Sequence, residues 1–205
     1  MNRINPTLPV FLALLLGGCF AQIEDSSVSL TQPLCPTATS NCIPGAGQPL
    51  SVIRANGTNT VTIPLGDQNF FKPETSLGPT KLVSKLVLNQ ATLDMLTAGS
   101  DFSGVTEMTI LRAPHESTGP LDDPCAPGSP PCTVLASYLQ TGPPAGQQLI
   151  LKGAGADVIS LIDQTKHQLV IQVRGKGSAP GSIASPLWNA NLTVDMALKA
   201  RVTFP

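Results

Sequence analysis

Hydrophobic and polar residues alternate strictly over the last part of the chain. From Trp188 to Phe204, seventeen residues, every even position is apolar, and the odd positions between them are mostly polar or charged. Alternation with a period of two is typical of a β-strand that has one buried and one solvated face. Because strands are usually only about 3–10 residues long, we expect a bend, bulge or break within this segment.

Shorter segments show the same preference for β-structure. In residues 167–174, an alternating pattern places Leu169, Ile171 and Val173 on one face of a strand. Further short, β-prone segments are bounded by Gly and Pro and are predicted to be strands as well. They span residues 59–65, 105–112, 133–140 and 147–152.

Two segments require more discussion. Residues 81–96 have apolar residues at positions that suit a strand with a bulge near Asn89, although a helix is the alternative. Residues 157–163 predict one short helix, because Asp157 favours a helix start and Val158, Leu161 and Ile162 share a helical face. Many strands with Gly/Pro turns and little helix predict an all-β fold, an antiparallel β-sandwich of the Ig-like kind.

The N-terminus has the features of an export signal. Arg3 is followed by a seven-residue apolar run, Val10 to Leu16, and then by Gly17, Gly18 and Cys19. Leu16-Gly17-Gly18-Cys19 resembles the lipobox of bacterial lipoproteins. The resemblance implies that diacylglycerol is attached to the Cys19 thiol, that the chain is cleaved before Cys19, and that the new terminus receives a further acyl chain such as palmitate. Two or three acyl chains anchor a protein stably in a membrane.

These features divide the chain into three parts. We predict a signal peptide at residues 1–18, the lipidated Cys19 followed by a flexible linker to residue 50, and a β-sandwich domain at residues 51–205. The linker prediction depends on four prolines and on the lack of periodicity between Phe20 and Leu50. In lipoproteins of the enteric type, an Asp after the lipidated cysteine implies retention in the inner membrane. Phe20 at that position therefore favours the outer membrane.

Four more cysteines support export. Cys35 and Cys42, and likewise Cys125 and Cys132, are separated by six residues within turn-rich segments. In an oxidising compartment we expect disulfides, and local pairing is preferred because small loops close easily. The other connectivities stay open. Zinc bound by four thiolates is disfavoured, since paired zinc ligands are usually about two to four residues apart.

Charge excludes some partners. Removal of the signal peptide deletes Arg3 and no acid, which leaves 11 basic against 13 acidic residues. A chain so close to neutral lacks the basic surface typical of nucleic-acid binding, and it has no polybasic run that would hold it on an anionic membrane. We expect attachment through the lipid on Cys19 and a partner protein in the cell envelope.

Candidates for catalysis or metal binding are few. His115 and His167 are the only histidines, and they have no zinc-site spacing. Asp122 and Asp123 could offer carboxylates to calcium, but no EF-hand pattern surrounds them, so a solvated turn is favoured. A nucleophile motif of the G-x-S-x-G type is absent from the sequence. We predict no catalytic residue, no metal and no cofactor.

Three classes of function follow. The first is a non-catalytic structural or protein-binding module of the envelope, and the second is a carrier of lipid or another hydrophobic ligand. A filled core would favour the first class and a continuous apolar cavity the second. The third class, an envelope enzyme, needs several titratable groups that converge in a cleft.

The lipobox leads to a direct test. We expect the Cys19→Ala variant to incorporate no fatty-acid label and to accumulate as unprocessed precursor, because the thiol that receives the lipid is gone. Labelling with an alkynyl palmitate and the gel mobility of the product measure both effects. Normal maturation of the variant would contradict the lipobox assignment.

Overall fold

The described part of the chain is almost entirely β-sheet. The computed structural model describes residues 20–34, 51–53, 57–65, 74–77, 80–119, 121–163, 165–180 and 188–203. They form ten strands of one antiparallel sheet, which confirms the predicted all-β fold. The predicted signal peptide at residues 1–18 and the cysteines Cys19, Cys35 and Cys42 lie outside the described residues.

The strands follow one continuous order in the sheet. Their order is β1-β10-β5-β8-β7-β6-β9-β2, while β3 also pairs with β9 and β4 with β5. The sheet curls so that its two halves enclose one hydrophobic core, as in a sandwich. In chain order the strands are β1 (Phe20–Leu34), β2 (Val52–Ile53), β3 (Val61–Pro64), β4 (Glu74–Leu77), β5 (Thr80–Met95), β6 (Val105–Arg112), β7 (Thr133–Leu139), β8 (Gln148–Gly153), β9 (Gln168–Gly177) and β10 (Ala190–Thr203).

The alternating segment near the end of the chain is strand β10, and its inward face is the predicted one. Ala190, Leu192, Val194 and Met196 are at most 1% exposed. The odd positions 191, 193 and 195 between them are partly exposed. Because β10 pairs with β1 on one edge and with β5 on the other, its backbone groups have partners on both sides.

Strand β10 itself contains no break, contrary to expectation. The two irregularities lie in its neighbours, where one extra residue is inserted in each pairing. Asn89 is the extra residue in β5, so the bulge predicted near it is confirmed and the helical alternative for this segment is wrong. Asp25 is the extra residue in β1. Bulges in the flanking strands relieve the strain of a long, twisted ribbon while β10 keeps its register.

The predicted linker between residues 19 and 50 is wrong for its first part. Residues Phe20–Leu34 form a fifteen-residue strand, β1, that pairs with β10 along nearly its full length. The bulge at Asp25 explains why the pattern was missed. Apolar Ala21 and Ile23 stand at odd positions before the bulge, whereas Val28 and Leu30 stand at even positions after it. A search for uninterrupted alternation does not detect a strand whose parity changes.

Residues 157–163 contain a single 3₁₀ turn, Ile159–Leu161, rather than a longer helix. The Asp157 carboxylate accepts hydrogen bonds from the backbone N–H groups of Ile159 and Leu86, so it fastens the turn to β5. Val158 and Ile159 are fully buried in the core. In the described part of the chain, no helix has the length and apolar character that crossing a membrane requires.

The core is one continuous cluster that draws on nearly every strand. Trp188, at the start of the alternating segment, packs edge-to-face on Phe102 with ring centroids 5.8 Å apart. Such aromatic pairs add about 0.5–1.5 kcal/mol beyond the burial of their area. Among the largest fully buried side chains are Phe102, Leu34, Ile53, Ile63, Leu86, Leu88, Leu93, Met108, Ile110, Leu135, Leu149 and Leu151.

A substitution by Asp is expected to destabilise the protein much more on the inward face of β10 than on its outward face. Val194→Asp places a carboxylate among apolar side chains, and we expect a loss of several kcal/mol of folding free energy, comparable with the whole margin of about 5–15 kcal/mol. Thr193→Asp, on the partly exposed face, should cost within about 1 kcal/mol. Urea unfolding of both variants measures the difference. Equal destabilisation would contradict the assignment of faces.

Candidate functional site

Strand β9 is buried on both faces. Its odd positions Leu169, Ile171 and Val173 lie in the core with 0% exposure, as the alternation predicts. On the opposite face Gln172 is also 0% exposed and Val170 only 9% exposed. A polar side chain that is fully buried needs hydrogen-bond partners, and Gln172 donates to two residues that are distant in sequence, the Asn59 carbonyl at 3.2 Å and the Asp123 carboxylate at 3.0 Å.

Asp123 belongs to the loop that joins β6 to β7. We call this segment, residues 113–119 and 121–132, the disulfide loop. The Cys125–Cys132 disulfide closes part of it, with 5.7 Å between the two Cα atoms, which confirms the predicted local pairing for this pair of cysteines. A disulfide over so short a loop restricts the loop mainly by removing conformations from the unfolded chain.

A charged network fastens the disulfide loop to β9. Arg174 donates from Nη2 to both carboxylate oxygens of Asp123, at 2.6 Å each, and from Nε to Oε1 of Gln172 at 2.6 Å. Gln172 in turn donates from Nε2 to Asp123 at 3.0 Å. Burial alone would raise the pKa of Asp123, but the hydrogen bonds from Gln172 and Arg174 outweigh it and lower that pKa. The carboxylate therefore stays ionised and bound.

A second set of hydrogen bonds fixes the loop to the segment before β3. The backbone N–H of Ser117 donates to Oγ1 of Thr60 at 2.9 Å, and the backbone N–H of Asn59 donates to Oγ of Ser117 at 3.1 Å. The Asn59 side chain also donates from Nδ2 to the carbonyl of Asp122 at 2.8 Å. Asn59, Thr60 and Ser117 are each at most 6% exposed, so this attachment is shielded from water.

Between these two attachments the loop displays an apolar side chain. Leu121 is 98% exposed, although its chain neighbour Asp122 is held in place. The Asp122 carboxylate accepts from the backbone N–H of Thr118 at 2.8 Å and from its hydroxyl at 3.1 Å. The Thr118 N–H is the main cause of the lowered pKa of Asp122. Leu121 therefore directly precedes two residues, Asp122 and Asp123, whose carboxylates are hydrogen-bonded.

A polar cleft adjoins the loop. It has a volume of about 330 Å³, and the described residues that line it include Arg112, His115, Glu116, Asp163, Lys166 and Gln168. The disulfide loop itself contributes His115 to this lining, and the Nε2 of His115 lies 3.6 Å from a carboxylate oxygen of Asp122. The cleft therefore combines charges of both signs with hydrogen-bonding side chains.

Most polar groups of the cleft are already engaged. Glu116 accepts hydrogen bonds from the Thr62 hydroxyl at 2.9 Å and from the Gln168 amide at 3.0 Å. Asp163 accepts from the backbone N–H groups of Lys166 and Thr165, which lower its pKa in that order of importance. Because a carboxyl group with a lowered pKa is a weaker base, Asp163 is poorly suited to accept a proton near neutral pH.

The structure separates the candidates that the sequence suggested. His115 lines the cleft, whereas His167 forms a turn with φ +50° just before β9. The expectation of a solvated turn is wrong for Asp123, because Arg174 and Gln172 bind its carboxylate. Among the described residues, no three His, Cys, Asp or Glu side chains form a group that could hold a metal ion.

Sequence reasoning did not identify Gln172 and Arg174 as the residues that receive the loop. Both residues lie on the polar face of an alternating strand, so the sequence predicts that they are exposed to solvent. In the structure, however, Gln172 is fully buried. The return of the disulfide loop over this face joins the two residues in one network with Asp123, in which Gln172 is buried and Arg174 partly exposed.

Comparison with known proteins identifies no family. No family model matches the chain. No curated protein matches it either. Among solved structures it is similar to the decameric BFDV capsid protein, with 13% sequence identity over 90% of this chain and 99% of that chain, at a TM-score of 0.30. A TM-score this low carries no argument about function.

The Asp123–Arg174 pair predicts a pH-dependent attachment of the loop. A pKa below the ordinary value of 3.8 means that the ionised carboxylate stabilises the fold above that pH, and that this contribution disappears as the pH falls through the lower folded-state pKa. The stability advantage of the unmodified protein over Asp123→Asn should therefore be largest above about pH 5 and should shrink below about pH 4.

Urea unfolding across this pH range measures the effect. Glu107→Gln is the control, since Glu107 pairs with Lys176 at 2.6 Å on a surface where both side chains are more than a third exposed and water screens the interaction. A constant stability difference between the unmodified protein and Asp123→Asn from neutral to acid pH would contradict the proposed role of this ion pair.

Proposed function

We propose that this protein is a lipid-anchored, non-catalytic module of the bacterial outer membrane that binds a protein partner. The lipobox at Leu16 to Cys19 supports the anchor, and the Cys125–Cys132 disulfide is in keeping with an oxidising compartment outside the cytoplasm. The observation that carries the binding function is the fastened disulfide loop, which presents an exposed leucine beside a polar cleft.

Rigid presentation favours binding for a physical reason. A mobile loop loses conformational freedom when a partner orders it, and that loss is subtracted from the binding free energy. Here the loop is ordered beforehand by the Asp123–Arg174 ion pair, the Ser117 hydrogen bonds and the disulfide. Leu121 offers apolar area, and the neighbouring cleft offers polar groups, which resembles the centre and rim of a protein interface.

The alternative function, a carrier of a hydrophobic ligand, receives less support. A carrier needs a continuous apolar cavity in its interior. The space between the two halves of the described sheet is occupied by large side chains such as Phe102, Leu88 and Met108, each at most 1% exposed. The cleft, in contrast, opens at the surface and is lined largely by charged and polar residues.

The cleft brings several titratable groups together, as the active site of an enzyme requires. The side chains that line it nevertheless favour binding over catalysis. No Ser, Thr or Cys is among the described residues that line it, so those residues include no side-chain hydroxyl or thiol nucleophile. Glu116 and Asp163 already accept hydrogen bonds from the protein, as described above. These groups suit the recognition of polar atoms on a partner.

Photocrosslinking in the native membrane tests the binding function. A photoreactive amino acid at Leu121 should give a discrete crosslinked protein, because this side chain is expected to enter the interface. Leu139, which is 63% exposed on β7, is the matched control position and should give none. Replacing Cys125 and Cys132 with Ser should reduce crosslinking from position 121, since the loop loses its rigidity.

Affinity provides the quantitative measure once the crosslinked protein is identified. Leu121→Ala should weaken binding by more than about 1 kcal/mol, whereas Leu139→Ala should have little effect. No crosslink from position 121, or equal crosslinks from positions 121 and 139, would contradict binding through the disulfide loop.

A further inference from the structure

The sheet begins directly after the cysteine that is predicted to carry the lipid. Phe20 follows Cys19 in the sequence, and it is the first residue of β1, where it pairs with Thr203 of β10. Adjacent Cα atoms are about 3.8 Å apart, so no length of chain is left to act as a tether. If Cys19 is held in a bilayer, this end of the sheet lies at the bilayer surface.

Four strands of the sheet have residues at the level of the Phe20–Thr203 pair. Thr203 of β10 pairs with Phe20 on one side and with Lys81 of β5 on the other, and Lys81 pairs with Ser76 of β4. We call this part of the sheet the anchor end. It comprises residues 20–24, 199–203, 81–85 and 74–76.

The anchor end is basic, although the whole chain is not. It contains four basic residues and two acidic ones, for a net charge of +2, whereas the chain from Cys19 onward has 11 basic against 13 acidic residues. Asp25, the bulge residue, lies one position further from the anchor. The basic residues are Lys81, Lys85, Lys199 and Arg201, and the acidic ones are Glu24 and Glu74.

The register of the sheet brings the basic residues together. Lys85 is exposed and stands directly opposite Lys199, which also has Glu24 as its partner in β1. Like charges placed directly opposite on neighbouring strands destabilise a sheet. Glu24, opposite Lys199 on the other side, offsets part of this repulsion, and an anionic surface beside this end of the sheet would offset more of it. The sequence contains no polybasic run, but the pairing of β5 with β10 aligns basic positions that are distant in sequence.

We propose that the anchor end docks on the anionic phosphate headgroups of the bilayer that holds the Cys19 lipid. The proposal rests on the proposed function, because it needs Cys19 to be lipidated. The lipid holds the Phe20–Thr203 pair beside the bilayer. Lys81, opposite Thr203, and Arg201, two residues along β10, are then the basic positions nearest the headgroups, where charges interact over about 8 Å before salt screens them. Docking fixes the orientation of the domain, so that the body of the sheet extends away from the membrane.

The first arm of the test compares two positions on the same strand. A photoreactive amino acid is placed at Thr203, in the anchor end, or at Asn191, twelve residues along β10 and about 40 Å away at about 3.3 Å per residue. The full-length, lipidated protein is purified and reconstituted in phosphatidylglycerol-containing vesicles. We expect severalfold more crosslinking to lipid from position 203 than from position 191.

The second arm tests the charges. Lys81→Gln combined with Arg201→Gln should lower lipid crosslinking from position 203 in phosphatidylglycerol-containing vesicles and should change little in pure phosphatidylcholine vesicles. Lys152→Gln combined with Lys176→Gln is the control, since neither residue belongs to the anchor end, and it should leave crosslinking unchanged. Should the first double variant fail to fold, the comparison of positions 203 and 191 in the otherwise unmodified protein decides the question.

Fatty-acid labelling of Cys19 in the same preparations distinguishes failure of the lipid anchor from failure of the docking proposal. Labelled protein with equal crosslinking from positions 203 and 191 would overturn the docking proposal and leave the anchor intact. Labelled protein that crosslinks from position 203 to another protein or to a second copy would also overturn it. Absence of label on Cys19 would overturn the anchor and the docking proposal together.

Discussion

The structure depends on the pairing of β10 along both of its edges. Buried backbone N–H and C=O groups must be hydrogen-bonded, and a strand buried in the middle of a sheet finds its partners only in its neighbours. β1 and β5 supply these partners from residue 190 to residue 203. A slip of one residue would turn Val194 and the other inward residues of β10 toward solvent, so the buried row permits a single register.

This constraint determines what the flanking strands can be. β1 has to remain in the sheet over its full length. The segment after Cys19, which the sequence predicted to be a flexible linker, is therefore part of the domain. The extra residues Asp25 and Asn89 absorb the mismatch in length and twist between the long strands. Segments that are far apart in sequence, such as residues 20–24 and 81–85, are thereby aligned at one end of the sheet.

A second constraint acts at β9, where the fully buried side chain of Gln172 is polar. The Asp123 carboxylate accepts hydrogen bonds from both Gln172 and Arg174, which positions the disulfide loop on the sheet. Loss of Asp123 would remove one of the two acceptors of the buried Gln172 amide group, whereas Arg174, which is 30% exposed, would remain partly solvated. Leu121 directly precedes the residues that these contacts hold.

The anchor end and the disulfide loop belong to the same hydrogen-bonded sheet. β6 leads into the loop and β7 follows it, and both strands are joined to β5 and β10 through β8. A partner bound at the loop would consequently have a defined orientation relative to the membrane, because the described strands between the two sites are paired with one another. This rigidity is the physical basis that the two proposals share.

The sequence by itself determined the parts of this protein that depend on local periodicity. Alternation identified β10 and its inward face, short apolar segments located β3 and β6 to β9, and the spacing of Cys125 and Cys132 indicated a local disulfide. The bulge at Asn89 was also predictable, because the apolar residues of one face stand at even positions before it and at odd positions after it.

Only the tertiary structure decided the rest, since the remaining features depend on contacts between distant residues. β1 was missed because its parity change at Asp25 lies among polar residues, and the burial of Gln172 follows from a loop that returns over its face. The clustering of Lys81, Lys85, Lys199 and Arg201 requires the register of two strands more than a hundred residues apart, which no local pattern contains.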